Sequence, residues 1–459
     1  MRILHYFLGF PPYRSGGLTK FATDMMTAQA ERGDEVYALW PGRMSLMPVF
    51  LHTPGKKVKI KKRGIAGGVI SCEIINPLPV SLDEGIGDCK AYMEECDKNI
   101  YLKFLKDIKP EVIHIHTLMG LHKEFMEAAN ELGIKVVFTS HDYFGLCPKV
   151  TLYRDGDVCE GEPGCEHCVQ CNRNPLSLKK IALLQSPLYR GLKNSPLVKL
   201  LRKRHRNNFY SDTDLENAGS DKMHPEAGIH EATSEYRSLR TYYIEMYKRM
   251  NVIHFNSTLT QSIYQRFFEP QESRVISITH KDIGDNRHIN KWEYSEKLRM
   301  TMLASARTFK GFQVLQRALD EMWAEGNRSF VLKLYKAVNN PSEYMEIDSD
   351  GFSYEDLGMV MANTDVLVAP SVWYETFGFT VLEALSYGVP VIVSDNVGAG
   401  DIVGDGGIVV KAGDVTELKS AIQSLTEDVQ KRLRDKIQKE CHIKVWDEFL
   451  DEMYALYKD

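Results

Sequence analysis

The sequence predicts an α/β protein made of two doubly wound, Rossmann-like domains, and three observations carry that expectation. Apolar runs of strand length recur at residues 2–10, 112–116, 135–139, 252–257, 298–304, 366–369 and 389–394. Most lead into a stretch of helical periodicity, often closed by a glycine, which is the alternation of a parallel sheet with crossover helices. At 459 residues the chain is also long enough for two cores of ordinary size.

Composition narrows the class. With 57 basic and 62 acidic residues the net charge is −5, which argues against a general nucleic-acid binder. No stretch reaches the roughly 18 apolar residues needed to cross a bilayer. Residues 1–5 enter a strand-like segment directly rather than a signal peptide, so a cytoplasmic protein is expected, soluble or peripheral on the inner face of a membrane. There the nine cysteines are expected as thiols or metal ligands rather than disulfides.

Taken in order, the first strand (2–10) meets a turn-rich loop ending in Gly16-Gly17, then a helix over 18–32 stopped by Gly33, then a strand at 35–40. Two adjacent glycines let backbone approach a phosphate or sugar, although an ordinary tight turn reads the same way. The strand 112–116 is followed by a helix to Leu132, and the strand 135–139 ends at Ser140-His141-Asp142. A polar triplet at the carboxyl end of a parallel strand points into the ligand crevice.

Cys147, Cys159, Cys165, Cys168 and Cys171 then fall within 25 residues, with His167 among them. Clustered thiolates suit zinc or an iron–sulfur centre, and zinc is expected here as a structural staple for a long loop. A set of reduced thiols is the competing reading. From residue 172 to 211 there is no acidic residue, and basic residues alternate with leucines. That suits an interfacial helix on an anionic membrane surface, or a plain solvated helix face. Residues 211–235 are polar and glycine-bearing and are expected as a mobile loop.

The strand 252–257 and a helix to about residue 268 close a first domain of residues 1–277, and 278–297 is the expected linker. The second domain, 298–431, opens with a strand and then Arg307-Thr308-Phe309-Lys310-Gly311. Its centre is the stretch VLVAPSVWYETFGFTVLEALSYGVP, residues 366–390. An apolar strand leads through a short loop to Glu375, and a helix starts near Phe377-Gly378-Phe379 with Thr380 in its first turn. Unpaired N–H groups at such a start, with the positive end of the helix dipole, suit a phosphate. Glu375 before the helix and Glu383 inside it add two carboxylates for hydroxyls. Together they suit a nucleotide sugar.

The run P-S-x-x-Y-E-T-F-G-F-x-x-L-E-A-L-x-x-G-x-P-V-I, with Glu375 and Glu383 as its E-x7-E pair, resembles the GT-B-fold retaining glycosyltransferases of family 4. The resemblance implies two facing Rossmann-like domains, with the tail 432–459 helical and packed back on the first. It implies a nucleoside diphosphate sugar donor, UDP- or GDP-linked, and a saccharide or lipid-linked saccharide acceptor, in bacterial cell-surface polysaccharide or glycolipid synthesis. Lys310 and Arg307 would hold the diphosphate with the helix start at Gly378, and Gly16-Gly17 would border the site between the domains. Glu375 would bind the donor sugar beside the Phe377 and Phe379 backbone, Glu383 the ribose, and His141 would stand near donor sugar and acceptor. No Asp-x-Asp stands at a strand end, so no catalytic metal is expected. The resemblance is absent over about 147–240, a cysteine-rich and basic insertion. An epimerase or hydrolase on the same fold, or a non-catalytic partner subunit, remain the alternatives.

Overall fold

The computed structural model describes residues 1–45, 57–81, 84–161, 166–193, 195, 196, 198, 200, 226–289, 292–304, 307–338 and 340–458. Among these, the first domain forms an eight-stranded sheet. Its strands are β1 (Arg2–Tyr6), β2 (Glu35–Pro41), β3 (Lys59–Ala66), β4 (Val69–Ile75), β5 (Val112–Ile115), β6 (Lys135–Thr139), β9 (Val252–Phe255) and β10 (Ser273–Val275). They lie in the order β10-β9-β6-β5-β1-β2-β4-β3, all parallel except the β3–β4 pair. The small hairpin of β7 (Tyr153–Arg154) and β8 (Asp157–Val158) stands apart.

The second domain holds six parallel strands: β11 (Leu298–Met302), β12 (Phe330–Leu334), β13 (Met345–Ile347), β14 (Val366–Ala369), β15 (Val391–Ser394) and β16 (Gly407–Val410). Their order is β13-β12-β11-β14-β15-β16. Central strands such as β14 and β15 are valine-rich because both faces are covered. In each sheet the chain winds outward from one strand and then restarts on its other side, between β1 and β5 and between β11 and β14. Ligand crevices open at the carboxyl ends of such switch points.

Several expectations shift. The first strand ends at Tyr6, and the chain turns through Gly9 at φ +120°. The hairpin β3–β4 at the sheet edge is an addition. Its outer strand is exposed and carries Lys59, Lys61, Lys62 and Arg63, charges that keep an open edge from pairing with another chain. Residues 226–235, expected inside a mobile loop, begin the helix Glu226–Tyr247, while 211–225 lie outside the described residues. The basic stretch is not one amphipathic helix. Among the described residues it is broken into short pieces, with Leu178–Leu184 and Pro187–Leu192 capped by Ser177 and Ser186. Arg190 and Lys193 turn inward: Arg190 reaches Glu73 at 3.2 Å and lies over the Tyr13 ring, and Lys193 donates to the Pro12 and Tyr13 carbonyls.

The tail is two helices rather than one. Glu427–Glu440 stays on the second domain, and residues 441–445 carry the chain across. Trp446–Lys458 then lies on the first domain, where Tyr457 Oη meets His114 Nδ1 at 2.6 Å and Lys135 donates to the Leu456 carbonyl at 2.9 Å. One core spans both domains, joining Ile3, Phe21 and Val137 to Val381, Phe449 and Leu456.

Candidate functional site

Two loops at the β11/β14 switch point build the centre. After β11, a short turn Thr308–Lys310 is stopped by Gly311 at φ +77°. A Cβ on Gly311 would stand 1.7 Å from the Pro370 carbonyl oxygen, so only glycine lets this turn close against the end of β14. Gly311→Ala is therefore expected to lower stability by about 2 kcal/mol or more. It should also disturb the Lys310 side chain, which moves with the turn. Chemical denaturation checks the packing, and an unchanged midpoint would contradict it.

After β14, Ser371 and Glu375 converge on Lys310. Lys310 Nζ sits 2.6 Å from Glu375 Oε1, and Ser371 Oγ donates to Glu375 Oε2 at 2.7 Å. The two charged side chains are 19% and 20% exposed, so one side of the pair stays open to a ligand. Burial alone would raise the Glu375 carboxyl, but the Lys310 ammonium and the Ser371 hydroxyl outweigh it and hold it below its usual value. Lys310 also lies over the Trp373 ring at 4.9 Å, and Arg307 over the Phe309 ring at 5.5 Å.

The backbone at Glu375 bridges to Val397, with Glu375 N donating to Asn396 O and Gly398 N to Glu375 O. The helix Phe379–Ser386 follows, entered through Gly378 at φ +102° with no side chain capping its first turn. The Phe377 carbonyl is taken by Ala399 N at 2.7 Å, which fixes the angle at which the helix start meets the crevice. Thr380 lies in that first turn.

Glu383 lies within the helix, and His280 Nε2 stands 3.5 Å from its Oε1. His280 also meets the Tyr354 hydroxyl at 3.3 Å and packs edge-on against Phe379. It comes from the linker, which had offered no periodic signal. His280 is 5% exposed, and among the described residues its buried Nδ1 has no hydrogen-bond partner, with Asp282 Oδ2 at 3.8 Å. Sequence reasoning missed it. The polar run Thr279-His280-Lys281-Asp282 between two domains was the signal available.

The first domain closes over this centre. Thr376 O accepts from Ser257 Oγ and Thr260 Oγ1, both at 2.9 Å, and Thr376 Oγ1 donates to the His141 carbonyl at 3.3 Å. Asp401 accepts from Thr258 N at 2.6 Å. Gly16 and Gly17 cap and open the helix Gly17–Glu31, and a Cβ on either would meet open space. Thus Lys310 pairs with Glu375, Glu375 stands beside Gly378, Glu383 lies in the helix that Gly378 enters, and Thr376 ties this segment to His141 across the domain boundary.

Behind His141 runs a chain of buried imidazoles. His5 Nε2 bonds Gln29 Oε1 at 2.7 Å, His5 Nδ1 bonds His116 Nε2 at 3.0 Å, and His116 Nδ1 bonds His141 Nε2 at 3.3 Å. An amide oxygen only accepts, so His5 must carry its proton on Nε2. With neutral rings, His116 and His141 must then carry theirs on Nε2 as well. His141 is left with a bare Nδ1 that no other described residue bonds, an acceptor for a hydroxyl. Burial pushes His141 down to about 3, with His254 adding to the effect, so it stays neutral at ordinary pH. His5, His114 and His116 stand close enough to suggest metal ligands, but hydrogen bonds between His5 and His116 and with Gln29, His141, Tyr457 and Thr139 already account for their ring nitrogens.

The cysteines gather beside this centre. Cys147, Cys159, Cys168 and Cys171 line one cavity of about 160 Å³, and Cys165 lies outside the described residues.

Residues 299–428 match the family described as "Glycosyl transferases group 1". A curated relative, the Escherichia coli "O-antigen chain mannosyltransferase B", is 43% identical over 75 residues, 16% of this chain. That match spans about a fifth of the relative's length. Among solved structures, the sucrose-phosphate synthase of Thermosynechococcus elongatus aligns with a TM-score of 0.54 at 14% identity, covering 100% of this chain and 98% of its own. The structure described as "Trehalose-6-phosphate from E. coli bound with UDP-2-fluoro glucose" aligns at 0.52 with 10% identity, covering 100% and 99%. The second domain is thus similar to the group 1 glycosyl transferases, and the whole chain has the two-domain GT-B fold.

Proposed function

We propose that the protein is a retaining glycosyltransferase that moves a sugar from a UDP- or GDP-linked donor to a hydroxyl of a saccharide or lipid-linked saccharide. The observation that carries this reading is the Lys310–Glu375–Ser371 cluster set at the uncapped start of the helix Phe379–Ser386. Lys310, Arg307 and that helix start supply positive charge for a diphosphate, so the reading needs no catalytic metal. Glu375 accepts from sugar hydroxyls, and Glu383, steadied by His280, takes the ribose.

The anomeric carbon–oxygen bond breaks with its electron pair going to the phosphate, where Lys310 meets the growing charge. The acceptor oxygen attacks the oxocarbenium-like carbon from the side of the leaving group, and its proton passes to the departing phosphate oxygen. That path keeps the anomeric configuration. His141 Nδ1 accepts a hydroxyl at the rim and orients it.

A cell-surface polysaccharide setting is part of the proposal, supported by the name of the O-antigen relative. So is a lipid-borne acceptor at the inner face of a membrane, supported by exposed Leu183, Leu188 and Leu192 beside exposed Lys179 and Lys180. Among the described residues no helix is long and apolar enough to cross a membrane.

Thermal unfolding against UDP-, GDP- and ADP-sugars tests the donor. One base should stabilise the protein by about 2–3 kcal/mol at a hundredfold excess over Kd. No shift with any of them would overturn the reading.

A further inference from the structure

Four thiols face one cavity from three separate segments of the insertion. Cys147 follows the Ser140-His141-Asp142 strand end, Cys159 follows the β7–β8 hairpin, and Cys168 and Cys171 share the helix Glu166–Cys171. Chance burial of thiols looks different in this chain. Cys72 and Cys89 sit singly among apolar core residues.

The loop beside the cavity holds Val150 at φ +70° and Leu152 at φ +48°, left-handed positions that a branched or bulky residue resists. Such strain persists only where the surroundings enforce it. Arg240 adds positive charge at the rim, with Nη2 4.0 Å from Cys168 Sγ and Nε donating to the Leu146 carbonyl at 3.0 Å.

We propose that Cys147, Cys159, Cys168 and Cys171 hold a thiolate-bound metal centre, either a zinc ion or an iron–sulfur cluster. The two occupants share a four-sulfur ligand set and differ in size. A tetrahedral zinc with sulfur about 2.3 Å away needs neighbouring sulfurs roughly 3.8 Å apart. Among the described residues no three of these ligand atoms lie within 4.8 Å of one another, so zinc would draw the segments together. A cluster would fill the cavity of about 160 Å³ with less movement.

The centre has a structural consequence at the donor site. The hairpin it anchors sets the Tyr153 ring against Phe309, beside Lys310, at 6.1 Å. Glu160, next to Cys159, pairs with Arg266 at 3.2 Å and approaches the Tyr374 hydroxyl at 3.4 Å, one residue before Glu375. The metal therefore clamps the insertion onto both loops that hold the donor.

The test is elemental analysis with acid-labile sulfide on full-length protein purified without oxygen or chelator, from medium supplied with zinc and iron. About one zinc per chain, or roughly four irons with matching sulfide, supports the proposal and names the occupant. Cys159→Ser and Cys171→Ser should lose that content at least about tenfold, while Cys441→Ser, far from the cavity, keeps it. Because a serine variant can fail to fold, alkylation of the native protein gives a second reading. The four thiols should be protected until a chelator or acid strips the metal. Less than about a tenth of a metal per chain, or four thiols alkylated equally fast before and after chelation, would overturn it.

Discussion

Lys310→Ala is expected to lower kcat/KM for the donor by about 10²–10³-fold, because on the proposed function it removes a cation aimed at charge that develops only as the sugar–phosphate bond breaks. The geometry makes a second effect inseparable from the first. Lys310 is the cation on the Glu375 carboxylate, at 2.6 Å, with both groups about four-fifths covered. Removing it leaves a largely buried carboxylate with only Ser371 as partner, and such an orphan costs about 1–3 kcal/mol of stability. A loss of activity alone would not separate the roles.

The double variant Lys310→Ala with Glu375→Gln does. Without the charge at position 375 there is no orphan, so stability should return towards that of the parent while transfer stays low. Steady-state kinetics and denaturant unfolding on the single and double variants make the comparison. Transfer restored along with stability would show that Lys310 serves only to balance Glu375. The ion pair also suggests how the resting site is kept. On the proposed reading, Glu375 occupies the cation before the donor arrives, and the incoming diphosphate takes a share of it as the sugar hydroxyls engage the carboxylate.

Much of this centre could be read from sequence because its chemistry is local. The valine-rich β14, the loop to Glu375 and the helix behind Gly378 follow one another within residues 366–386, so spacing alone places a carboxylate at a helix start. Lys310 was legible for a similar reason, since it lies just beyond a strand end. What stayed hidden depends on contacts between distant segments. His280 meets Glu383 from over a hundred residues away, in a linker without periodicity. The mutual pairing of Lys310 with Glu375 spans 65 positions and cannot be deduced from either neighbourhood. The break at residues 441–445 was missed because the tail is amphipathic on both sides of it, and only the distance between domains demands the interruption. The imidazole layer had a visible sign, histidine inside the apolar strands VIHI and VIHF, but its bonding appears only once β1, β5, β6 and β9 lie side by side.

That layer sets the second large expectation, a steep loss of stability in mild acid. His5, His114, His116 and His254 are fully buried. Burial pushes His5 and His254 down to about 4, and holds His114 and His116 well below the usual histidine value. In the unfolded chain all four titrate near 6.5. Above that value neither state binds the protons and nothing is lost. Between pH 6.5 and about 4 the unfolded chain gains protons that the native state refuses, so stability falls as the pH falls. Half-buried His141, pushed down to about 3, acts in the same direction. Asp142, pushed up to about 6 by burial against the opposing Phe144 N–H and Thr117 hydroxyl, acts oppositely, because the native state protonates it first. These last two nearly cancel. Four uncompensated protons give a slope of about 5 kcal/mol per pH unit, against a total stability on the order of 5–15 kcal/mol. The folded state is therefore expected to fail about one to two and a half units below 6.5, roughly pH 5.5 to 4. Urea midpoints measured from pH 8 to 4.5 would show a plateau above 7 and a steep fall below 6.5. His254→Asn should reduce the slope by about a quarter, provided the variant folds at pH 8. A flat profile between pH 7 and 5 would mean that the imidazoles take up protons where they stand, and that the neutral chain ending on His141 does not persist in solution.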